Sequence, residues 1–316
     1  MKKGTATVIK NTGKDYLLSE LPVWNPFPAV IRGRMRLKGL HTTNPVAVGD
    51  IVEYEADEDA AAVAAITGVL TRKNYVIRKS VNLSRECHII AANLDRVCLV
   101  VTLGFPETKW PFIDRFLVTC QAYKVPVTII LNKTDLYGPE FNDLKNYFLH
   151  VYGGAGYNIL ETSVRKDEGI DSVRNLLRTG GLTLFSGVSG VGKSSLLKAI
   201  DPTLEPKISE ISLSTLQGRH TTTFYEIYPV TGGGYIIDTP GIRGFGLIDM
   251  KPEEISLYFP EMFRVMDRCR YKPCTHTHEP HCAVKEAVDC GAISPERYNS
   301  YLGMLEEETK YRQAER

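Results

Sequence analysis

The sequence predicts a multidomain chain of three differently built parts: a small N-terminal all-β barrel, a central α/β domain and a C-terminal, mostly helical module. Three observations predict it. Five short β-rich runs come first and end by Val69. Longer apolar runs then alternate with amphipathic stretches and carry two compact motifs with glycine or asparagine at their centres. A cluster of cysteines and histidines follows, between helical stretches near the C-terminus. The expected divisions are residues 1–72, 73–245 and 246–316.

In the first part, Thr5–Lys10, Tyr16–Leu18, Ala29–Arg32, Ile51–Tyr54 and Ala64–Val69 read as strands separated by turns, one of them Val48-Gly49-Asp50. Five such strands suit a barrel of the OB type, a common oligonucleotide binder. Arg32, Arg34, Arg36 and Lys38 cluster within it and could track phosphates. A solvated edge strand is the alternative. Residues 1–50 hold eight Lys or Arg against three acidic residues, although the whole chain carries a net charge of only +1. Asn74–Asn93 reads as a linker, with Asn82–Arg85 polar enough to contact RNA.

Arg96–Thr102 is expected to be the first strand of the central domain. Val127–Leu131, a β-branched run, reads as a buried parallel strand ending at Asn132-Lys133-Thr134-Asp135, of the form NKxD. Ligands bind at the carboxyl ends of such strands. Asp135 can accept from guanine N1–H and the exocyclic amine, Asn132 can meet O6 and brace the loop, and the Lys133 stem can pack on the base. Thr162, Ser163 and Val164 sit where a last base-contacting loop belongs.

The run Leu182–Phe185 leads into Gly187-Val188-Ser189-Gly190-Val191-Gly192-Lys193-Ser194, followed by Ser195–Ile200 as the opening of a helix. Strand, GxxxxGK[ST] loop and helix form the phosphate-binding context. Successive N–H groups and the helix N-terminus would face phosphate oxygens, Ser195 included, with Lys193 at the β- and γ-phosphates and Ser194 on Mg²⁺. Tyr235–Asp238 is another buried strand, ending in Asp238-Thr239-Pro240-Gly241. Asp238 would hold Mg²⁺ through water, and the Gly241 N–H would sense the γ-phosphate. Between these motifs, Gly218-Arg219-His220-Thr221-Thr222-Thr223 occupies the place of a first switch. Thr222 is the favoured Mg²⁺ ligand, with Thr221 and Thr223 as alternatives.

The base reader precedes the phosphate loop, the reverse of the ordinary order, so the central part reads as a circularly permuted P-loop GTPase domain. After Gly241 stands Ile242, which cannot hydrogen-bond an attacking water. His220 is the nearest candidate to orient it, and a histidine that merely contacts RNA or solvent is the alternative. A non-catalytic RNA adaptor that binds GTP for support is the rival from another class, and the intact Lys193, Ser194 and Asp238 argue against it. Because the second switch leads straight into the C-terminal part, its movement on hydrolysis would swing that module.

In the C-terminal part, Cys269-x₄-Cys274-x-His276-x₅-Cys282 matches a closed Cys₃His zinc site. His278, His281 and Cys290 lie close enough to replace one ligand. Asp249–Ile255 reads as a capped helix start, and Ser294–Arg316 as a mixed-charge helix, exposed and uninformative. Arg264, Arg268, Arg270 and Lys272 suit phosphates or a solvated helix face. No apolar run approaches the ~20 residues of a membrane span. Scattered Cys87, Cys98 and Cys120, and no signal-peptide pattern, lead to the expectation of a reducing cytosol.

The permuted order, Arg219–Thr223 and the zinc spacing, joined to a five-stranded barrel, resemble the ribosome small-subunit-dependent GTPase A family over essentially the whole chain. The resemblance implies a bacterial cytoplasmic GTPase, monomeric, that acts with GTP and Mg²⁺ late in 30S subunit assembly and contacts 16S rRNA. It also implies one structural Zn²⁺, weak hydrolysis stimulated by the 30S subunit, release after hydrolysis, and His220 serving in place of glutamine.

Overall fold

The computed structural model of the chain describes residues 2–31, 45–57, 63–79, 87–204, 225–238 and 250–314. The first five strands are β1 (Lys2–Asn11), β2 (Asp15–Ser19), β3 (Phe27–Ile31), β4 (Ile51–Ala56) and β5 (Ala64–Val69), closed into a barrel in the order β1-β2-β3-β5-β4. Only β3 and β5 run parallel. Alternate residues point inward, as a period of two requires: Ala6 and Val8, Tyr16 and Leu18, Val52 and Tyr54, Ala64 and Ile66 fill the barrel. The alternation breaks once. Val8 pairs with Leu18 and Lys10 with Leu17, so Ile9 is an extra residue in β1. Next to inward Val8, Ile9 faces out of the barrel and into the core of the central domain.

The stretch read as a linker is instead an antiparallel pair, β6 (Tyr75–Lys79) and β7 (Cys87–Ala92). Val76, Ile90 and Ala91 are buried in the central core, which is why these residues are ordered rather than solvated. Gly49, at φ +88, lets the barrel's backbone lie against that of β7, where Val48 O accepts from Ala92 N–H at 2.9 Å.

The central sheet has the order β10-β9-β8-β11-β13-β12. Its strands are β8 (Arg96–Val101), β9 (Val127–Leu131), β10 (Asn158–Glu161), β11 (Leu182–Ser186), β12 (Ile227–Pro229) and β13 (Tyr235–Asp238), and only β12 is antiparallel to its neighbour. Helices α1 (Trp110–Ala122) and α2 (Asn142–Ala155) pack with Leu99, Val101 and Ile129. On the other face, α3 (Ile170–Arg178) and α4 (Lys193–Ile200) pack with Val100, Ile130 and Phe185. Strands covered on both faces read as unbroken apolar runs, which explains their legibility. The chain steps outward through β8, β9 and β10, then returns to the other flank of β8 with β11. That reversal opens a crevice at the carboxyl ends of β8 and β11.

The C-terminal part begins with a 3₁₀ helix, Pro252–Tyr258, where the Glu254 carboxylate accepts from Lys251 N–H at 3.2 Å. Short helices Pro260–Phe263 and Ala283–Asp289 and the long terminal helix Pro295–Ala314 follow. The terminal helix is not the uninformative tail its charges suggested. Tyr301 and Met304 are buried beside Val118 of α1, and Arg297 is 1% exposed. The Arg297 guanidinium donates to Asp114 of α1 at 2.8 Å and to Glu261 at 2.6 and 3.1 Å, and lies 4.6 Å from the Phe259 ring centre. Burial pushes the Asp114 carboxyl up; the Arg297 charge and hydrogen bonds from Ser300, Arg297 and Tyr152 oppose it. Arg297→Met is expected to cost about 3–5 kcal/mol in denaturant unfolding, because two carboxylates would stay buried without their cation.

Candidate nucleotide and metal sites

Asn132 leaves β9 almost fully buried. Its Nδ2 donates to Val191 O at 2.9 Å, and its Oδ1 accepts from the Thr162 hydroxyl at 2.9 Å. Lys133, left-handed at φ +62, sends Nζ to Phe105 O and Gly190 O, each at 2.6 Å. The Ser163 hydroxyl donates to Asp135 Oδ1 at 2.7 Å. Tyr137 closes the arrangement: its hydroxyl donates to Asn132 O at 2.8 Å and accepts from Leu103 N–H at 2.9 Å. Residues from four loops, far apart in the chain, thus meet at one end of the sheet. The loop 102–109 and Tyr137 carried no recognisable motif. Val164 is partly buried against the second face's core.

The phosphate loop is shaped by what surrounds it. A Cβ on Gly187 would meet Val100 O at 2.5 Å, and one on Gly192, at φ +90, would meet Asn132 Nδ2 at 2.6 Å. Val191 anchors the loop in the core and Val188 is partly buried, while Ser189, Gly190, Ser194 and Ser195 face outward. Lys193 opens α4, buried, and pairs with Asp238 at the end of β13. Burial pushes the Lys193 ammonium down to about 7. A polyanion beside it would restore the charged form. His220, Thr221, Thr222, Thr223, Gly241 and Ile242 lie outside the described residues, as do Arg32–Lys38 and Asn82–Arg85.

Ser163 has a more particular place than its sequence context suggested: it fixes the rotamer of Asp135. Ser163→Ala is expected to weaken guanine-nucleotide binding about tenfold or more, the worth of one hydrogen bond to a charged acceptor, with little change for the triphosphate moiety. Titration with labelled GDP measures it.

Cys269, Cys274, His276 and Cys282 bring one donor atom each within 4.8 Å of all the others. The Cys282 sulfur lies 3.9 Å from that of Cys269 and 3.8 Å from that of Cys274. His276 Nδ1 lies 3.4 Å from the Cys282 sulfur and 3.7 Å from the Cys269 sulfur. Zinc held at about 2.3 Å from sulfur and about 2.0 Å from nitrogen has tetrahedral edges of about 3.8 and 3.5 Å. The donor set fits that ion. Burial lowers the His276 pKa, favouring the neutral imidazole that ligates metals. Tyr298 donates to His276 O and Tyr301 to Thr275 O, each at 2.6 Å, so the terminal helix holds the cluster's backbone. His278 turns to Thr277, Cys290 lies near Ala287 O, and neither these nor His281 joins the four.

Comparison with known proteins agrees with this geometry. The profile of the RsgA GTPase family matches residues 69–248. The small ribosomal subunit biogenesis GTPase RsgA of Bacteroides fragilis is 50% identical over 309 residues, covering 97% of this chain and 98% of that protein. That of Flavobacterium psychrophilum is 47% identical over 303 residues, covering 96% and 92%. Among solved structures, YjeQ from Thermotoga maritima superimposes with a TM-score of 0.79 at 32% identity, covering 98% of this chain and 99% of that one. YloQ, a circularly permuted GTPase, gives 0.72 at 26% identity, covering 98% and 96%. The likeness runs over nearly the whole chain: the chain belongs to the RsgA GTPase family.

Proposed function

We propose that this protein hydrolyses GTP to GDP and phosphate on the small ribosomal subunit, assists late 30S maturation and leaves after hydrolysis. The observation that carries the reading is the lacing of the two motifs: Asn132 holds Val191 O and Lys133 holds Gly190 O, so base and phosphate readers form one pocket. Asp135, oriented by Ser163, accepts from guanine N1–H and the exocyclic amine, which excludes adenine. Backbone N–H groups of residues 187–195 and Lys193 hold the phosphates. Ser194, Thr222 and, through water, Asp238 would hold Mg²⁺, which neutralises charge between the β- and γ-phosphates. His220 would orient the attacking water in the place where Ile242 offers nothing. Gly241 N–H would read the γ-phosphate.

Cys269, Cys274, His276 and Cys282 would hold one structural Zn²⁺, which supplies folding energy and no chemistry. The barrel and the zinc module are the proposed contacts to 16S rRNA. Among the described residues no helix is long and apolar enough to cross a membrane. A monomer in the cytoplasm, where 30S subunits are assembled, suits this role.

Sedimentation with purified subunits tests the reading. The protein should travel with 30S in a non-hydrolysable GTP analogue and be lost in GDP. Equal retention on 50S, or no dependence on the nucleotide, would contradict it.

A further inference from the structure

The β12–β13 hairpin separates Gly218–Thr223 from Asp238 and lies at the edge of the central sheet. Its strands have three and four residues. Its loop contains Gly232, Gly233 and Gly234, all at positive φ. β13 is held on its inner side by β11, from Leu182 opposite Tyr235 to Phe185 opposite Asp238, while β12 is the outermost strand and pairs only through Ile227–Pro229.

The barrel holds the hairpin from its other side. Ile9 of β1 enters the core that also holds Tyr225 and Ile227. Lys10 pairs antiparallel with Glu226, its ammonium 2.8 Å from the carboxylate, so the barrel's ladder reaches the edge of the central sheet. On the second strand, Trp24 stacks on Tyr235 with ring centres 5.9 Å apart, and the Tyr235 hydroxyl donates to Pro22 O at 3.0 Å.

We propose that the barrel buttresses this hairpin from its outer side, making Trp24 a positioning residue for GTP hydrolysis that acts through Tyr235 on Asp238. Asp238 lies three residues beyond Tyr235 on the same strand. Tyr235 opens the short strand that Asp238 closes, so a shift of the Tyr235 backbone is carried to Asp238 and to its pairing with Lys193. RNA held by the barrel would thereby change hydrolysis without touching the nucleotide. The Lys10–Glu226 pair is partly exposed and weak alone, so Trp24 is the better handle. The inference rests on the GTPase reading above.

Steady-state hydrolysis and GTP binding test it. Trp24→Ala should lower kcat about fivefold, the worth of an aromatic pair, leaving the Kd for GTP unchanged, and Trp24→Phe should recover most of the loss. An unchanged kcat overturns the proposal. So does a loss of kcat matched by a loss of affinity, or one that Trp24→Phe does not recover. Should Trp24→Ala fail to fold, the protein offers a second route because it has two tryptophans. In Trp110→Phe, Trp24 emission should differ between GDP and a non-hydrolysable GTP analogue; identical emission overturns the proposal. That comparison needs binding alone. A parent that binds GTP and does not hydrolyse it would refute the GTPase reading and leave the emission test standing.

Discussion

Lys193→Ala is expected to lower GTP turnover by two to three orders of magnitude, about what removing one pre-aimed donor to a developing charge costs. The ammonium sits at the first residue of α4, where the loop's N–H groups and the helix N-terminus already favour anions. Without nucleotide it is buried against Asp238. A bound triphosphate would offer it a more highly charged anionic partner. The substitution also leaves the Asp238 carboxylate buried without its cation, so a thermal melt of the variant must accompany the kinetics. A folded variant with near-parental turnover would contradict the role given to Lys193.

The second large effect is on the C-terminal module. Removing the ion with a strong chelator, or replacing Cys282 by Ser, is expected to unfold that module, because structural zinc contributes on the order of 10 kcal/mol to small domains. Cys269 and Cys282 belong to the same buried cluster as Ile255, Phe259 and Val284, so the cluster and the apolar core stand or fall together. GDP binding should survive, since the nucleotide loops rest on separate cores. Metal analysis should find one zinc per chain. Proteolysis should cut the chelated protein beyond Met250 first, and unchanged resistance there would contradict a structural ion.

What was legible in the sequence, and what was not, follows from how local each signal is. The barrel strands, the strand–loop–helix around Lys193 and the spacing of the four metal-cluster residues are written in short windows, and each appears in the structure where its pattern placed it. Arg297 was read as one charge among many on an exposed helix. Its partners, Asp114 and Glu261, lie 183 and 36 residues away, and no periodicity announces a buried cation. Asn74–Asn93 reads as a linker because its polar residues outweigh two apolar stretches that only the central core makes meaningful. Ile9 looked like any strand residue; a bulge has no signature in one strand alone. Tyr137 and Leu103 brace the base-reading loop through one hydroxyl and one backbone amide, neither of which a motif encodes.

Circular permutation gives these long-range contacts a mechanical meaning. The chain leaves Asp238 and is next described at Met250, already buried in the zinc module's core. The module is tied to α1 through Arg297 and Asp114, and α1 begins just after the loop that Lys133 holds against Gly190. Barrel and module therefore grip the nucleotide domain on different elements. The barrel does so at β7 and at the β12–β13 hairpin, the module at α1 and α2.

The most direct test of the central claim is GTP turnover by the purified protein alone, with 30S and with 50S subunits, beside Lys193→Ala. The account predicts weak turnover alone, strong stimulation by 30S only, and none in the Lys193→Ala control. Stimulation by neither subunit, or by both equally, would contradict a GTPase of the small subunit.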